Sequence, residues 1–145
     1  MEFPEKILLP ASDTDLSETK SGRQTRLLLA EDDRALRRFL EVVLERAGYA
    51  VVSASDGIEA MKIVVSTPID LVITDSMMPN LNGHEFCRFL RSSQKLSHLP
   101  IILLSALERK ESGLNVEQVD AFLAKPVSGE SLIECIEGLL ARKSE

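Results

Sequence analysis

The sequence predicts an α/β protein: a doubly wound, five-stranded parallel sheet with helices on both faces. Two observations carry this. From Arg26 onward, short apolar runs alternate with longer segments of helical periodicity. Several of those runs (LLLA, LVIT, IILL) are nearly continuously apolar rather than alternating, the pattern of strands buried on both faces. A third observation concerns where the runs stop. LLLA ends at Glu31 and Asp32, LVIT at Asp75, IILL at Ser105, and AFLA at Lys125, which Pro126 follows. Parallel strands would bring these groups to one sheet edge, outside the carboxyl ends, where open α/β sheets bind ligands.

The elements follow in order. Strand one is Leu27 to Ala30. The first helix takes Asp32 or Asp33 as cap, carries Leu36, Leu40, Val43, Leu44 and Ala47 at helical spacing, and ends at Gly48. Strand two is Ala50 to Ala54. The second helix starts after Asp56-Gly57 and carries Ala60, Met61, Val64 and Val65 before Pro68. Strand three is Asp70 to Thr74, with a loop from Asp75 to Asn82. Asn82 caps the third helix with Glu85 three residues on, close to a capping box, and Phe86, Phe89 and Leu90 form its inner face. Pro100 introduces strand four, Ile101 to Leu104. The next interval contains Gly113 and Asn115, poor helix formers, so a fourth helix there is expected to be short or irregular. Strand five is Ala121 to Ala124. The last helix starts near Ser128 and presents Leu132, Ile136, Leu139 and Leu140 on one side.

Residues 1–25 read as a flexible N-terminal arm, because Pro10 to Gln24 is rich in Ser, Thr, Asp, Glu and Lys. Residues 26–143 read as one domain. The 145 residues are enough for a sizeable core. A net charge of −6 disfavours non-specific binding to nucleic acid. No apolar run approaches the roughly 20 residues that span a bilayer, and the N-terminus lacks the pattern of a signal peptide. A cytoplasmic protein is expected. Cys87 and Cys135 match no metal or redox spacing and read as reduced thiols.

Magnesium takes one or two protein carboxylates, several waters and phosphate oxygens. Glu31 and Asp32 leave strand one together, and Asp75 leaves the strand expected beside it. Carboxylates packed together repel one another unless a cation neutralises them. Helix-dipole stabilisation of an acidic helix start accounts for Asp33. It does not account for Asp75. A phosphoryl group on Asp75 would find a hydroxyl donor in Ser105 and a point charge in Lys125.

These motifs carry a resemblance. LLLAEDDRALRRFL, LVITDSMMPNLNG, IILLSA and FLAKPV together resemble the receiver domain of two-component response regulators, over about Arg26 to Lys143. That resemblance implies a flavodoxin-like sheet of strand order 2-1-3-4-5. It implies that Asp75 accepts a phosphoryl group from a phosphohistidine on a sensor histidine kinase or a histidine phosphotransfer protein. Glu31 and Asp32 match the acidic metal pair, and Met77 would add its backbone carbonyl to an Mg2+ ion. Ser105 and Lys125 match the phosphate-binding hydroxyl and lysine. Phe122 matches the aromatic switch position, and the Lys125-Pro126 bond is expected to be cis. Phosphorylation would draw Ser105 inward, let Phe122 follow, and shift the surface of the fourth helix, strand five and the last helix toward a downstream target or output domain. Met77 and Leu107 cannot orient an attacking water, so self-dephosphorylation should be slow.

Other functions fit less well. A phosphohydrolase of the haloacid-dehalogenase type wants a second acid two residues after the nucleophile, where Met77 stands. A flavin- or nucleotide-binding module would bring phosphate to the loop after strand one, where the acids EDD repel it. A pseudo-receiver is disfavoured because every site residue is present. The chain ends just after the last helix, so a stand-alone receiver and a receiver taken from a hybrid kinase or larger regulator both remain open.

Overall fold

A computed structural model describes residues 23–106 and 118–143. Among the described residues nine elements follow one another: β1 (Arg26–Ala30), α1 (Arg34–Arg46), β2 (Ala50–Ala54), α2 (Gly57–Ser66), β3 (Leu71–Asp75), α3 (Gly83–Ser92), β4 (Ile101–Ser105), β5 (Ala121–Ala124) and α4 (Gly129–Lys143). All strand pairings are parallel, and the sheet order is β2-β1-β3-β4-β5. The fourth helix expected between Ser105 and Ala121, and the N-terminal arm up to residue 22, lie outside the described residues.

Side chains alternate across each strand, so a continuously apolar strand feeds two cores. Leu28, Ala30, Val72, Ile101 and Leu103 join Ala60 and Val64 of α2 and Phe86, Cys87 and Leu90 of α3 in one buried cluster. Leu27, Leu29, Leu71, Ile73, Ile102 and Leu104 join Leu40 and Leu44 of α1 and Leu132, Ile136 and Leu139 of α4 in the other. Burying each such Leu, Ile or Phe contributes about 1.5–3 kcal/mol before chain entropy is counted. The two clusters fix the sheet between two helical layers, and they hold the carboxyl ends of β1, β3, β4 and β5 side by side.

Each described helix start has a side-chain cap, at Asp33 and Asn82 as the sequence reading has it, and at Asp56 and Ser128, which it gave only as helix starts. Asp33 accepts from the Leu36 N–H at 3.0 Å. Asp56 accepts from Glu59 at 2.8 Å. Asn82 and Glu85 form a reciprocal capping box at 2.9 and 3.0 Å. Ser128 Oγ accepts from the Ser131 N–H at 3.0 Å. Gly48, at φ +101°, turns the chain out of α1 into β2, a conformation in which glycine meets no Cβ clash.

The structure moves some boundaries. β3 runs one residue later than the sequence reading, from Leu71 to Asp75. Asp75 pairs with Leu104, and the next N–H, that of Ser76, still finds the Leu104 carbonyl at 2.9 Å. The ladder therefore carries the phosphoacceptor candidate as its last rung rather than releasing it to the loop. Asp70 sits just before the strand with its carboxylate occupied by the Arg23 guanidinium at 3.0 and 3.1 Å and the Arg26 N–H at 2.8 Å. Two apolar residues counted in the helical patterns do not face the core. Val65 is 65% exposed, and Ala47 is the exposed C-cap of α1.

Arg91, near the end of α3, fastens the far end of the sheet. Its Nε donates to the Gln118 carbonyl at 2.9 Å and Nη1 to the carbonyls of Ser97 and Leu99 at 2.9 and 2.7 Å. Its Nη2 donates to Asp120 at 2.8 Å, and Asp120 also accepts the Ile101 N–H at 2.8 Å. One guanidinium thus joins α3 to the starts of β4 and β5.

Candidate phosphoacceptor and metal site

The carboxyl ends of β1, β3, β4 and β5 carry the polar groups. Glu31 is fully buried just past β1, held by its N–H to the Ala54 carbonyl at 3.0 Å. The Arg37 guanidinium meets the Glu31 carbonyl at 2.8 Å from one turn along α1. Asp75 is 4% exposed at the end of β3. One carboxylate oxygen each from Glu31, Asp32 and Asp75 lie within 4.8 Å of one another, with Asp32 on the solvent side.

Lys125 reaches across from the end of β5. Its Nζ lies 3.0 Å from Asp75 Oδ2 and 3.2 Å from Glu31 Oε1. The backbone sets this reach: the Lys125 N–H donates to the Ser105 carbonyl at 2.8 Å, and the Lys125-Pro126 peptide is cis. Glu31 Oε2 accepts the Asp33 N–H at 3.0 Å. Its other oxygen, Oε1, faces the ammonium without hydrogen-bond alignment and is buried with no hydrogen bond. A buried carboxylate oxygen left in that state costs free energy. A cation, or a water held by one, supplies what it lacks, so the donor set fits a hard divalent ion.

The charges respond to this crowding. Burial pushes the Glu31 carboxyl up from 4.5 to about 7; the Asp33 N–H opposes that, the Asp75 charge adds to it, and Lys125 opposes it. Burial pulls the Lys125 ammonium down, but the hydrogen bond and charge of Asp75, then those of Glu31, outweigh it and the net movement is upward. Two acids contend for one lysine, and the more buried of them gives way.

The loop after β3 is shaped by close backbone packing. A Cβ on Gly83 would stand 2.1 Å from the Asp75 carbonyl oxygen, and one on Gly57 would stand 1.8 Å from the Leu81 carbonyl oxygen. Asn80 turns the loop at φ +72° and donates to Asp56 at 3.1 Å. The Met77 N–H points at Asp75 Oδ1 at 3.3 Å, while its side chain is 67% exposed. Ser105 is fully buried at the end of β4. Phe122 lies partly buried against the cluster that α2 and α3 cover. Leu107 lies outside the described residues.

The fold thus gathers the Glu31, Asp32 and Asp75 carboxylates, sets Lys125 against Asp75 and Glu31, and places Ser105 on the neighbouring strand. Sequence reasoning passed over Ser76, which is 1% exposed and bonded to Ser105 at 3.1 Å. Continuing strand three by two residues would have revealed it, since position 76 then falls beside 105. A separate groove of about 630 Å³, lined by residues such as Val65, Pro68, Lys95 and Leu96, lies where β3 and β4 begin, at the opposite edge from the carboxylates.

Comparison with known proteins identifies the family. Residues 27–137 match the family described as response regulator receiver domain, and the chain belongs to that family. It is 39% identical over 126 residues to a probable transcriptional regulator, ycf27, of Cyanidium caldarium, covering 85% of this chain and 49% of that protein. It is also 39% identical over 122 residues to the response regulator MprA of a Mycobacterium species, covering 82% and 52% respectively. The chain spans about half the length of the curated relatives it matches. Among solved structures it resembles the response regulator TrrA of Thermotoga maritima in complex with Mg2+–BeF, with TM-score 0.72 and 32% identity over 79% of this chain and 98% of that one. This is a receiver domain of two-component signalling. No helix among the described residues is long and apolar enough to cross a membrane.

Proposed function

We propose that this domain, residues 26–143, is a phosphoacceptor switch in which Asp75 takes a phosphoryl group from a phosphohistidine on a sensor kinase or phosphotransfer protein. The observation that carries the reading is the Lys125 ammonium, 3.0 Å from Asp75 and 3.2 Å from Glu31, within a three-carboxylate cluster at the carboxyl edge of the sheet. An Asp75 carboxylate oxygen attacks phosphorus, the phosphorus–nitrogen bond breaks, and the imidazole leaves with its electron pair. Lys125 places a fixed positive charge beside the acceptor, and Ser105 offers a hydroxyl from the adjacent strand; catalysis is positioning and charge stabilisation. Glu31, Asp32, Asp75 and the Met77 carbonyl would hold Mg2+, which when bound supplies positive charge to the acceptor and the incoming phosphoryl oxygens. Phe122 and the surface of β5 and α4 carry the change outward, to a partner that prefers the shifted form.

The same reading makes the domain a signalling element rather than an enzyme. Met77 offers no polar group to an attacking water, so phospho-Asp75 should persist for minutes or longer in magnesium buffer; decay within seconds, followed by intact mass, contradicts that. We place the protein in the cytoplasm, where phosphohistidine donors of this system act. The name of the ycf27 relative, a probable transcriptional regulator, suggests a regulator of transcription as the whole protein. With −6 net charge on this chain, contact with nucleic acid would fall to a linked domain or a partner. Incubation with acetyl phosphate and Mg2+ tests the core of the proposal. The intact mass should rise by a single phosphoryl group, and Asp75→Asn should abolish the gain. No gain with any small donor or phosphohistidine protein overturns it.

A further inference from the structure

Ser76 and Ser105 lie side by side at the carboxyl edge. The β3–β4 register pairs Asp75 with Leu104, and the next rung sets Ser76 beside Ser105. Both continue the strand rows of Val72 and of Ile101 and Leu103, which face the α2 and α3 side. Asp75 and Leu104 continue the opposite rows, those of Ile73 and Ile102. The two serines are 1% and 0% exposed, and their hydroxyls meet at 3.1 Å. Water has no access to replace that bond if it breaks.

We propose that Ser76 is a positioning residue that holds the Ser105 hydroxyl in its resting place and so sets the threshold for the phosphorylated form. The inference rests on the phosphoacceptor reading above. In that reading Ser105 must turn from its own row toward a phosphoryl oxygen on Asp75. The turn lengthens the contact with Ser76 and leaves a buried hydroxyl without that partner, and this penalty falls on the phosphorylated state alone. A hydrogen bond made only in the resting form shifts the equilibrium toward rest by its own net weight.

The test measures affinity for beryllofluoride, a non-covalent stand-in for the phosphoryl group, by calorimetry with Mg2+ present. Ser76→Ala should bind about fivefold tighter, the equivalent of one net hydrogen bond. Ser76→Thr, which keeps the hydroxyl, should return to the wild-type value. In a Ser105→Ala background, Ser76→Ala should change nothing, because the partner it restrains is gone. Far-UV circular dichroism establishes that each variant is folded. Unchanged or weaker binding by Ser76→Ala, or the same gain in both backgrounds, overturns the inference while the phosphoacceptor reading stands. Wild-type protein that binds no beryllofluoride and takes no phosphoryl group overturns that reading and this inference with it.

Discussion

Replacing Glu31 by Gln should stabilise the metal-free protein, and by an amount that depends on pH. Glu31 is fully buried, and its carboxyl is raised from 4.5 to about 7, chiefly by burial. Between those values the folded protein keeps a proton that the unfolded chain gives up. Wild-type stability therefore falls as pH rises through that window, and the loss is complete above about pH 7. The displacement corresponds to about 3 kcal/mol at pH 8 and about 1 kcal/mol at pH 5.5. Glutamine keeps the volume and an acceptor for the Asp33 N–H but never ionises. Its advantage should be about 3 kcal/mol at pH 8 and shrink by about 2 kcal/mol at pH 5.5. Lys125 stays charged throughout, since its ammonium is shifted upward. Urea unfolding in EDTA at the two pH values, followed by far-UV circular dichroism because the chain has no tryptophan, measures the difference. Taking the difference between variant and wild type cancels the titrating groups that do not interact with Glu31. Equal stabilities at pH 8, or a gain of the same size at both pH values, would refute the claim that the ionised Glu31 is the strained member of the cluster.

Other outcomes follow from the same structure. Gly83→Ala places a Cβ 2.1 Å from the Asp75 carbonyl oxygen, a backbone atom that cannot swing aside. It should lower stability by about 3 kcal/mol and impair phosphorylation of Asp75; a variant that unfolds and phosphorylates like wild type contradicts the packing. Arg91→Lys replaces a guanidinium with four donor contacts by a single ammonium. It should cost roughly 2–4 kcal/mol in urea unfolding while leaving magnesium affinity intact. Cys87 is fully buried, with burial pushing its thiol up to about 12, whereas the thiol of half-buried Cys135 is raised less far. At pH 8 an alkylating reagent should modify Cys135 first and reach Cys87 only on unfolding; equal rates would mean that the α3 side of the core opens readily.

Much of this protein is legible in its sequence because its signals are local. Continuous apolar runs such as LLLA and IILL can be satisfied only between two helical layers, and the caps at Asp33, Asp56 and Asn82 act within three residues of themselves. The polar residues that end the runs, Glu31, Asp32, Asp75, Ser105 and Lys125, are visible for the same reason. Contacts between strands are not local. Whether Asp75 belongs to β3 or to the loop depends on the Leu104 carbonyl offered by β4. Whether Val65 is core depends on which face of α2 meets the sheet, and it is 65% exposed. Ser76 looks like an ordinary loop residue until the β3–β4 register sets its hydroxyl 3.1 Å from Ser105. The sequence by itself determined which groups stand at the strand ends. Only the tertiary structure decided which of them share a lysine, which acid yields its charge to burial, and which hydroxyl has a second hydroxyl for a partner. Those outcomes depend on distances of a few ångströms between residues dozens of positions apart, and strand register and layer packing set such distances.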